Sequence, residues 1–379
     1  MADENQISSL MLYRTPRVGP MTYRELLRVF STPEMALENL PALMERAGRK
    51  PLQLYPRSRA EEELNTLASL GGRLMIEGDS DWPDLLSFDA APPMLMVRGL
   101  PHLLERRAVA IVGARDATTN GCRLAEQIGA DMAAAGWLVV SGMARGIDTA
   151  AHVGALLEGT AAILAGGVDV PYPAENEGLY EKIILSGLVA SEAPMGAAPA
   201  ARHFPRRNRI VSGLAHGTLV IEAAKGSGSL ITAGYASEQG RVVMAVPGSP
   251  LDERSQGCNS LIREGAFLVE NADDVIEILA REAGVKSAER LGQPEMPLLE
   301  SVDEVKLPTS AEHSRIRERV LSLMGASATE VSALVHQSEE FPRLVHLVLL
   351  ELELSGEIER LAGDKVIRIM LPPRKRREQ

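Results

Sequence analysis

Between about residues 100 and 285 the chain repeats one pattern: a short, mainly apolar run closed by Gly or Ser, then a helical stretch. The runs are 108–112 ending at Gly113, 137–140 ending in Ser141-Gly142, 161–164 before Gly166-Gly167, and 188–190 before Ser191-Glu192. Two more follow, 218–222 leading into Lys225-Gly226-Ser227-Gly228-Ser229 and 241–246 before Pro247-Gly248. Runs with no polar alternation are buried on both faces, so they predict a mainly parallel sheet with helices on either side. Right-handed crossovers then bring every strand-ending loop to one edge of the sheet, the edge at which open α/β sheets bind ligands. Gly and Ser residues far apart along the chain are thereby predicted to gather in space.

The flanks have a different grain. Residues 1–100 are rich in Leu, Arg and Glu, with helical apolar spacing over 22–30 and 33–44, and predict a small helical domain plus connector. The core is placed at 101–285, a Pro- and Glu-rich linker at 286–312, and a second small domain at 313–371. That last domain shows helical patterns at 315–324 and 341–354, Ser327 to Glu330 as a capping box, and two short strands around Gly363-Asp364, the order of a winged helix. Its third helix carries Glu339, Glu340, Arg343 and His346; two acids at its start favour protein contact or domain packing over DNA reading. Residues 372–379 are a basic tail containing Arg374-Lys375-Arg376-Arg377.

Composition narrows the class. With 379 residues, two or three domains are expected, and 45% hydrophobic content excludes disorder throughout. No apolar run reaches the roughly 20 residues that span a bilayer, so no membrane role is expected. The start Met1-Ala2-Asp3-Glu4 has no basic region ahead of an apolar stretch, so no signal peptide is expected. Cys122 and Cys258 are too few for a disulfide framework and have no His cluster for zinc, which points to a reducing cytoplasm and to no metal. A net charge of -11 argues against a surface coated for nucleic acid, but leaves room for a concentrated basic pocket.

Four constellations in the core could carry chemistry. Gly113-Ala114-Arg115-Asp116 follows a strand and precedes a helix without completing G-x-G-x-x-G; Arg115 is read as a ligand-binding cation rather than as a partner of Asp116. Phe204-Pro205-Arg206-Arg207-Asn208-Arg209 opens a helix; its guanidinium forks suit phosphate oxygens, although one or two of them are candidates for pairing with Glu192 or Glu222. Gly226-Ser227-Gly228-Ser229, with Thr232 beyond, feeds another helix start whose amides and hydroxyls suit a phosphate; no Lys-Ser or Lys-Thr closes a P-loop. Asp148 and His152 share a helix face, which suits either an acid–base pair or, preferentially, a capping and packing network. Spacing does not separate a catalytic from an Arg-orienting role for Asp169, Glu192 and Glu222.

Taken together, these segments resemble the DprA (Smf) family of DNA-processing proteins. The matching stretches are VAIVGARDAT (109–118), VVSGMARGIDTAAH (139–152), LAGGVDVPYPAEN (164–176), FPRRNRIVSGLA (204–215), VIEAAKGSGSLITAGYASEQGR (220–241), AVPGS (245–249) and GCNSLIREGA (257–266), in family order across the middle of the chain. The resemblance implies an α/β protein with an extended Rossmann-like, mainly parallel core, a small N-terminal helical (SAM/HhH-like) domain and a C-terminal winged-helix domain. It further implies a recombination mediator of natural transformation and competence that binds single-stranded DNA without cleaving it, loads RecA and acts as a homodimer. No cofactor, catalytic residue or metal is expected. Carried over by motif, Gly113, Arg115, Arg206, Arg207, Asn208, Arg209, Gly226, Ser227, Gly228, Ser229 and Thr232 would line the pocket, and the dimer contact would fall around 248–267. The alternative is a nucleotide hydrolase of the cytokinin-activating (LOG) type, whose PGGxGTxxE signature this sequence lacks.

Overall fold

The computed structural model describes residues 3–48, 53–290, 308, 310–325, 327–361 and 363–369. Its contacts divide the chain into a core unit, 63–296, and a second unit built from 1–62 and 297–379.

The second unit begins with three helices, α1 (Glu4–Arg14), α2 (Pro20–Phe30) and α3 (Pro33–Arg46). Thr32 caps α3 by accepting from the Met35 amide at 3.3 Å, and Pro33 takes the first helical position, where a missing N–H costs nothing. Leu10, Leu12, Leu26, Phe30, Leu40, Leu43 and Met44 close the interior. Helix α4 (Arg57–Ser69) runs across the boundary into the core.

The first hundred residues are therefore not all helical. Strands β1 (Arg73–Ile76) and β2 (Met94–Gly99) belong to the core sheet, where β2 pairs antiparallel with β6 (Leu188–Ser191). Between them run β3 (Ala108–Gly113), α5 (Thr119–Ala134), β4 (Leu138–Ser141), α6 (Ile147–Ala155), β5 (Thr160–Ile163) and α7 (Glu177–Ser186). After β6 come α8 (His203–Gly213), β7 (Gly217–Ile221), α9 (Gly228–Glu238), β8 (Val242–Ala245), α10 (Gln256–Arg263), β9 (Phe267–Leu268) and α11 (Ala272–Arg290). Among the described residues these strands form one sheet of nine, ordered β1-β2-β6-β5-β4-β3-β7-β8-β9, and β3 to β9 pair in parallel where they are neighbours.

Strand β3 shows why the runs had to be apolar. Its Ala110 and Val112 face a core with Leu138, Ile163, Ile210 and Val211, while Val109 and Ile111 face the opposite core with Ile128, Met132 and Leu219. The chain winds from β3 through β4 and β5 to β6 on one side, then returns to β7 on the other. The crevice at that switch point opens beyond the carboxyl end of β3, the place where open α/β sheets bind their ligands.

The remainder of the second unit comprises α12 (Ser310–Leu323), β10 (Thr329–Glu330), α13 (Val331–Ser338), α14 (Pro342–Ser355), β11 (Ile358–Leu361) and β12 (Lys365–Arg368), a winged-helix order. The capping box expected at Ser327 is not formed: Thr329 and Glu330 pair with β12, and α13 starts after Glu330 with no side-chain cap. Helix α14 is read in sequence as the third helix of that domain, and here its polar groups turn to α2. Arg343 donates to the Val29 carbonyl and, at 3.2 Å, to Ser31 Oγ; His346 Nδ1 lies 3.1 Å from Glu25 Oε2. Arg360 of the hairpin joins Glu25 at 3.2 Å and Glu353 at 3.3 Å. The linker expected at 286–312 starts late, because α11 continues to Arg290; most of it, and the tail at 374–377, lies outside the described residues. No helix among the described residues is long and apolar enough to cross a membrane.

Candidate functional site

A cleft of about 1090 Å³ opens at the carboxyl edge of the sheet. That is at the upper end of the roughly 300–1,000 Å³ usual for small-ligand pockets. Of the residues singled out in sequence, Gly113, Arg115, Arg207, Asn208, Ser227, Gly228, Ser229 and Thr232 line it, so loops more than one hundred positions apart do converge. Arg206, Arg209 and Gly226 do not line it.

The three arginines of α8 separate because successive residues on a helix are turned by about 100°. Arg206 is exposed on the solvent side. Arg209 is buried and grips Glu192, with Nη2 2.6 Å from Oε2, while its Nη1 donates to the Ala90 carbonyl; the pairing with Glu192 anticipated above holds for this residue. Arg207 reaches the cleft wall, but its guanidinium is committed to the Gly142 carbonyl and, at 2.5 Å, to the Ile163 carbonyl, the C-terminal ends of β4 and β5. A Cβ on Gly142 would sit 2.2 Å from Arg207 Nη1, so a glycine is required for this clamp. Burial, partly offset by Asp148, pulls the Arg207 guanidinium down to about 10.

Arg115 is placed differently. It is exposed at the end of β3, and its guanidinium carbon lies 5.0 Å from the centre of the Phe204 ring. A guanidinium held over a ring at this distance gains cation–π attraction, and its N–H groups can still serve an oxyanion. Of the three cations lining the cleft, Arg254 is paired with Asp252 at 3.1 Å and Arg207 with carbonyls, while the Arg115 N–H groups have no acceptor among the described residues.

The Gly-Ser loop supplies the facing wall. Gly226 has φ +77°, a left-handed turn that favours glycine and delivers the chain into α9. Ser227 is the N-cap but makes no side-chain cap bond; its hydroxyl lies 2.5 Å from that of Ser229. The amides of Gly228 and Ser229, at the positive end of the helix dipole, have no acceptor among the described residues. Asn208 Nδ2 donates to the Gly228 carbonyl at 3.2 Å and ties α8 to α9, and Thr232, almost fully buried, donates to the same carbonyl at 3.4 Å. Gly113 lines the cleft and is also fixed by packing, since a Cβ there would lie 1.8 Å from the Ile221 carbonyl.

The carboxylates resolve into braces. Asp148, buried at the start of α6, accepts from the Gly142 and Ala144 amides at 3.1 and 3.3 Å; burial pushes its carboxyl above the ordinary range while Arg207 acts the other way. His152 is fully buried, with Nδ1 2.8 Å from the Thr160 hydroxyl, which itself donates to the Val139 carbonyl. Burial lowers the imidazole to about 3, so it stays neutral. Glu222 accepts from the Thr118 amide at 2.8 Å and from the Thr118 hydroxyl, bracing the N-terminus of α5. Asp169 accepts from the Gly196 amide at 2.9 Å.

Two features of the cleft were not among the sequence candidates. Phe204, inside a quoted motif, is the platform under Arg115. The 249–254 loop adds Ser249, Leu251, Asp252, Glu253 and Arg254 to the rim. It follows the Pro247-Gly248 strand end, so its place on the same edge was available from the strand pattern. The lining holds four carboxylates, those of Asp116, Asp148, Asp252 and Glu253, against three guanidinium groups, so the cleft is not a broadly positive surface.

The profile described as DNA recombination-mediator protein A matches residues 73–280, that of the DprA-like N-terminal HHH domain residues 3–66, and that of the DprA winged helix domain residues 304–364. The putative DNA processing protein DprA of Mycobacterium tuberculosis is 42% identical over 238 residues, 58% of this chain; the match spans 61% of that relative's length. Protein Smf of Escherichia coli is 34% identical over 317 residues, 82% of each chain. The X-ray structure of DprA from Streptococcus pneumoniae superposes with a TM-score of 0.61 at 32% identity, covering 73% of this chain and 98% of that one. A Helicobacter pylori DprA structure, described for that protein's single-stranded DNA binding mode, gives a TM-score of 0.51 at 27% identity over 56% of this chain and 96% of its own. With all three domain profiles in order along one polypeptide, and the mainly parallel core flanked by helical and winged-helix domains, the chain belongs to the DprA (Smf) family of DNA-processing proteins.

Proposed function

We propose that the chain is a DNA-binding recombination mediator that holds single-stranded DNA in the cleft, without cleaving it, and loads RecA onto it during natural transformation. The observation that carries this reading is Arg115, stacked on Phe204 at the cleft mouth with its N–H edge open, in the same cleft as the free amides of Gly228 and Ser229. A guanidinium and a helix N-terminus together suit a phosphate, and a backbone met at so few points suits one strand better than a duplex. The Helicobacter pylori relative described for single-stranded DNA binding supports the same assignment. The nucleotide-hydrolase alternative has less to support it: the carboxylates best placed for acid–base work, Asp148 and Glu222, are held by backbone amides and Thr118.

A homodimer through the 248–267 segment is part of the proposal. Its support is the exposed Leu251, and β9 at the end of the sheet with Leu268 half-exposed beside it. The cytoplasm, where RecA and incoming single strands meet, is the proposed compartment.

The test is a salt titration of oligothymidine binding by wild type and Arg115→Ala. Each phosphate neutralised on a single strand contributes about 0.7 to the slope of log K against log salt, so Arg115→Ala should flatten the slope by about 0.7 and weaken binding. A folded Arg115→Ala protein with wild-type affinity and slope would overturn the assignment.

A further inference from the structure

We infer that Tyr172 is a base-stacking platform just outside the cleft, so that a bound strand leaves across the Tyr172–Phe204 rim and not across the 249–254 loop. The inference rests on the reading of the cleft as a site for unpaired DNA and adds the direction and the chemistry of the next contact.

Tyr172 is 48% exposed, the aromatic side chain of the core unit left most open to solvent in a chain with only 5 Phe, 6 Tyr and 2 Trp. It stands between Pro171 and Pro173, whose rings fix their own backbone φ and stiffen the loop that carries it. Asn176 pins the same loop to the neighbouring strand end, donating to the Met143 carbonyl at 2.9 Å and to the Thr149 hydroxyl at 2.8 Å. The Tyr172 ring centre lies 5.7 Å from that of Phe204, at 54°, and Phe204 in turn carries Arg115 at 5.0 Å. Cation, ring and ring thus form a continuous ladder from the phosphate-binding point outwards. Half-exposed, Tyr172 leaves ring surface available to a base, and a rigid platform orders little on binding. The 249–254 loop offers a polyanion no net cation: Asp252 and Arg254 neutralise each other, and Glu253 leaves one negative charge there.

The experiment compares the full-length protein with Tyr172→Leu, Tyr172→Phe and Arg115→Ala on two probes of equal length and charge, an oligothymidine and a fully abasic oligomer. Tyr172→Leu should lose about tenfold in affinity for oligothymidine, within the range for one stacked base, with an unchanged salt slope and unchanged abasic binding. Tyr172→Phe should keep wild-type affinity, and Arg115→Ala should weaken both probes. Equal binding of oligothymidine by Tyr172→Leu and wild type, with Arg115→Ala still impaired, would overturn the platform and leave the cleft reading standing. Loss of both probes by Tyr172→Leu would also overturn it, as a structural effect. Indifference of both probes to Arg115→Ala would sink the cleft reading itself.

Discussion

Replacing Arg207 by Met separates a structural clamp from a phosphate ligand. The guanidinium is buried, holds the Gly142 and Ile163 carbonyls, and lies near enough to buried Asp148 to oppose the upward push on its carboxyl. Met fills similar space without charge or donors, leaving two carbonyls and a carboxylate in a dry site. A charged hydrogen bond contributes about 1.5–3 kcal/mol, and an uncompensated buried charge costs about 3–5 kcal/mol; these overlap here, so a total of about 4 kcal/mol is expected. That is a large fraction of the 5–15 kcal/mol typical of a domain. Trp82 and Trp137 both lie in the core unit, one against each face of the sheet, so tryptophan fluorescence in a urea titration reports that unit. With a slope of about 2.5 kcal/mol per molar urea, the midpoint should fall by about 1.5 M. Arg115→Ala, an exposed change, should cost under about 0.5 kcal/mol and move it by less than about 0.2 M. A wild-type midpoint for Arg207→Met, with DNA binding lost, would refute the clamp. A combined Arg115 and Arg207 substitution is therefore a poor test of binding, since the second change attacks the fold.

Three further outcomes are expected. His152 titrates near 3 in the fold against an ordinary 6.5, so its contribution is complete above pH 6.5 and is lost as pH falls towards 3; between pH 6.5 and 5 wild type should lose about 2 kcal/mol that a His152→Gln protein does not, measured by urea titration at each pH. Arg209→Leu removes the ion pair between Arg209 and Glu192 in a largely buried site and should cost about 3–5 kcal/mol, with Glu192→Gln in the same background recovering part of it in a double-mutant cycle. In the second unit, burial tends to raise the Glu25 carboxyl, but His346, Arg360 and Arg28 outweigh it and hold it below the ordinary range, so its stabilisation is present above about pH 4.5 and is lost as pH falls through the lowered value. Protection factors for hydrogen exchange of α2 and α14 amides, each taken against the intrinsic rate at that pH, should fall together on acidification, and Arg360→Met should lower both at neutral pH.

The layered core was legible in the order of residues alone. Six apolar runs closed by Gly or Ser became β3 to β8, because a strand buried on both faces leaves a local signature, and parallel order with right-handed crossovers follows from it. Convergence of Arg115 with the Gly-Ser loop was legible for the same reason. Strands β1 and β2 were not, because β1 is a four-residue edge strand and β2 lies in a segment whose Leu and Arg content reads as helix. Which arginine stays open at the cleft was settled by folding. Arg206, Arg207 and Arg209 are neighbours in sequence, but the acceptors of Arg207 lie 65 and 44 residues away, and one acceptor of Arg209 lies 119 away. Whether a cation is open or neutralised depends on the groups that folding brings to it, and Coulomb and hydrogen-bond partners of that separation leave no mark in the local pattern.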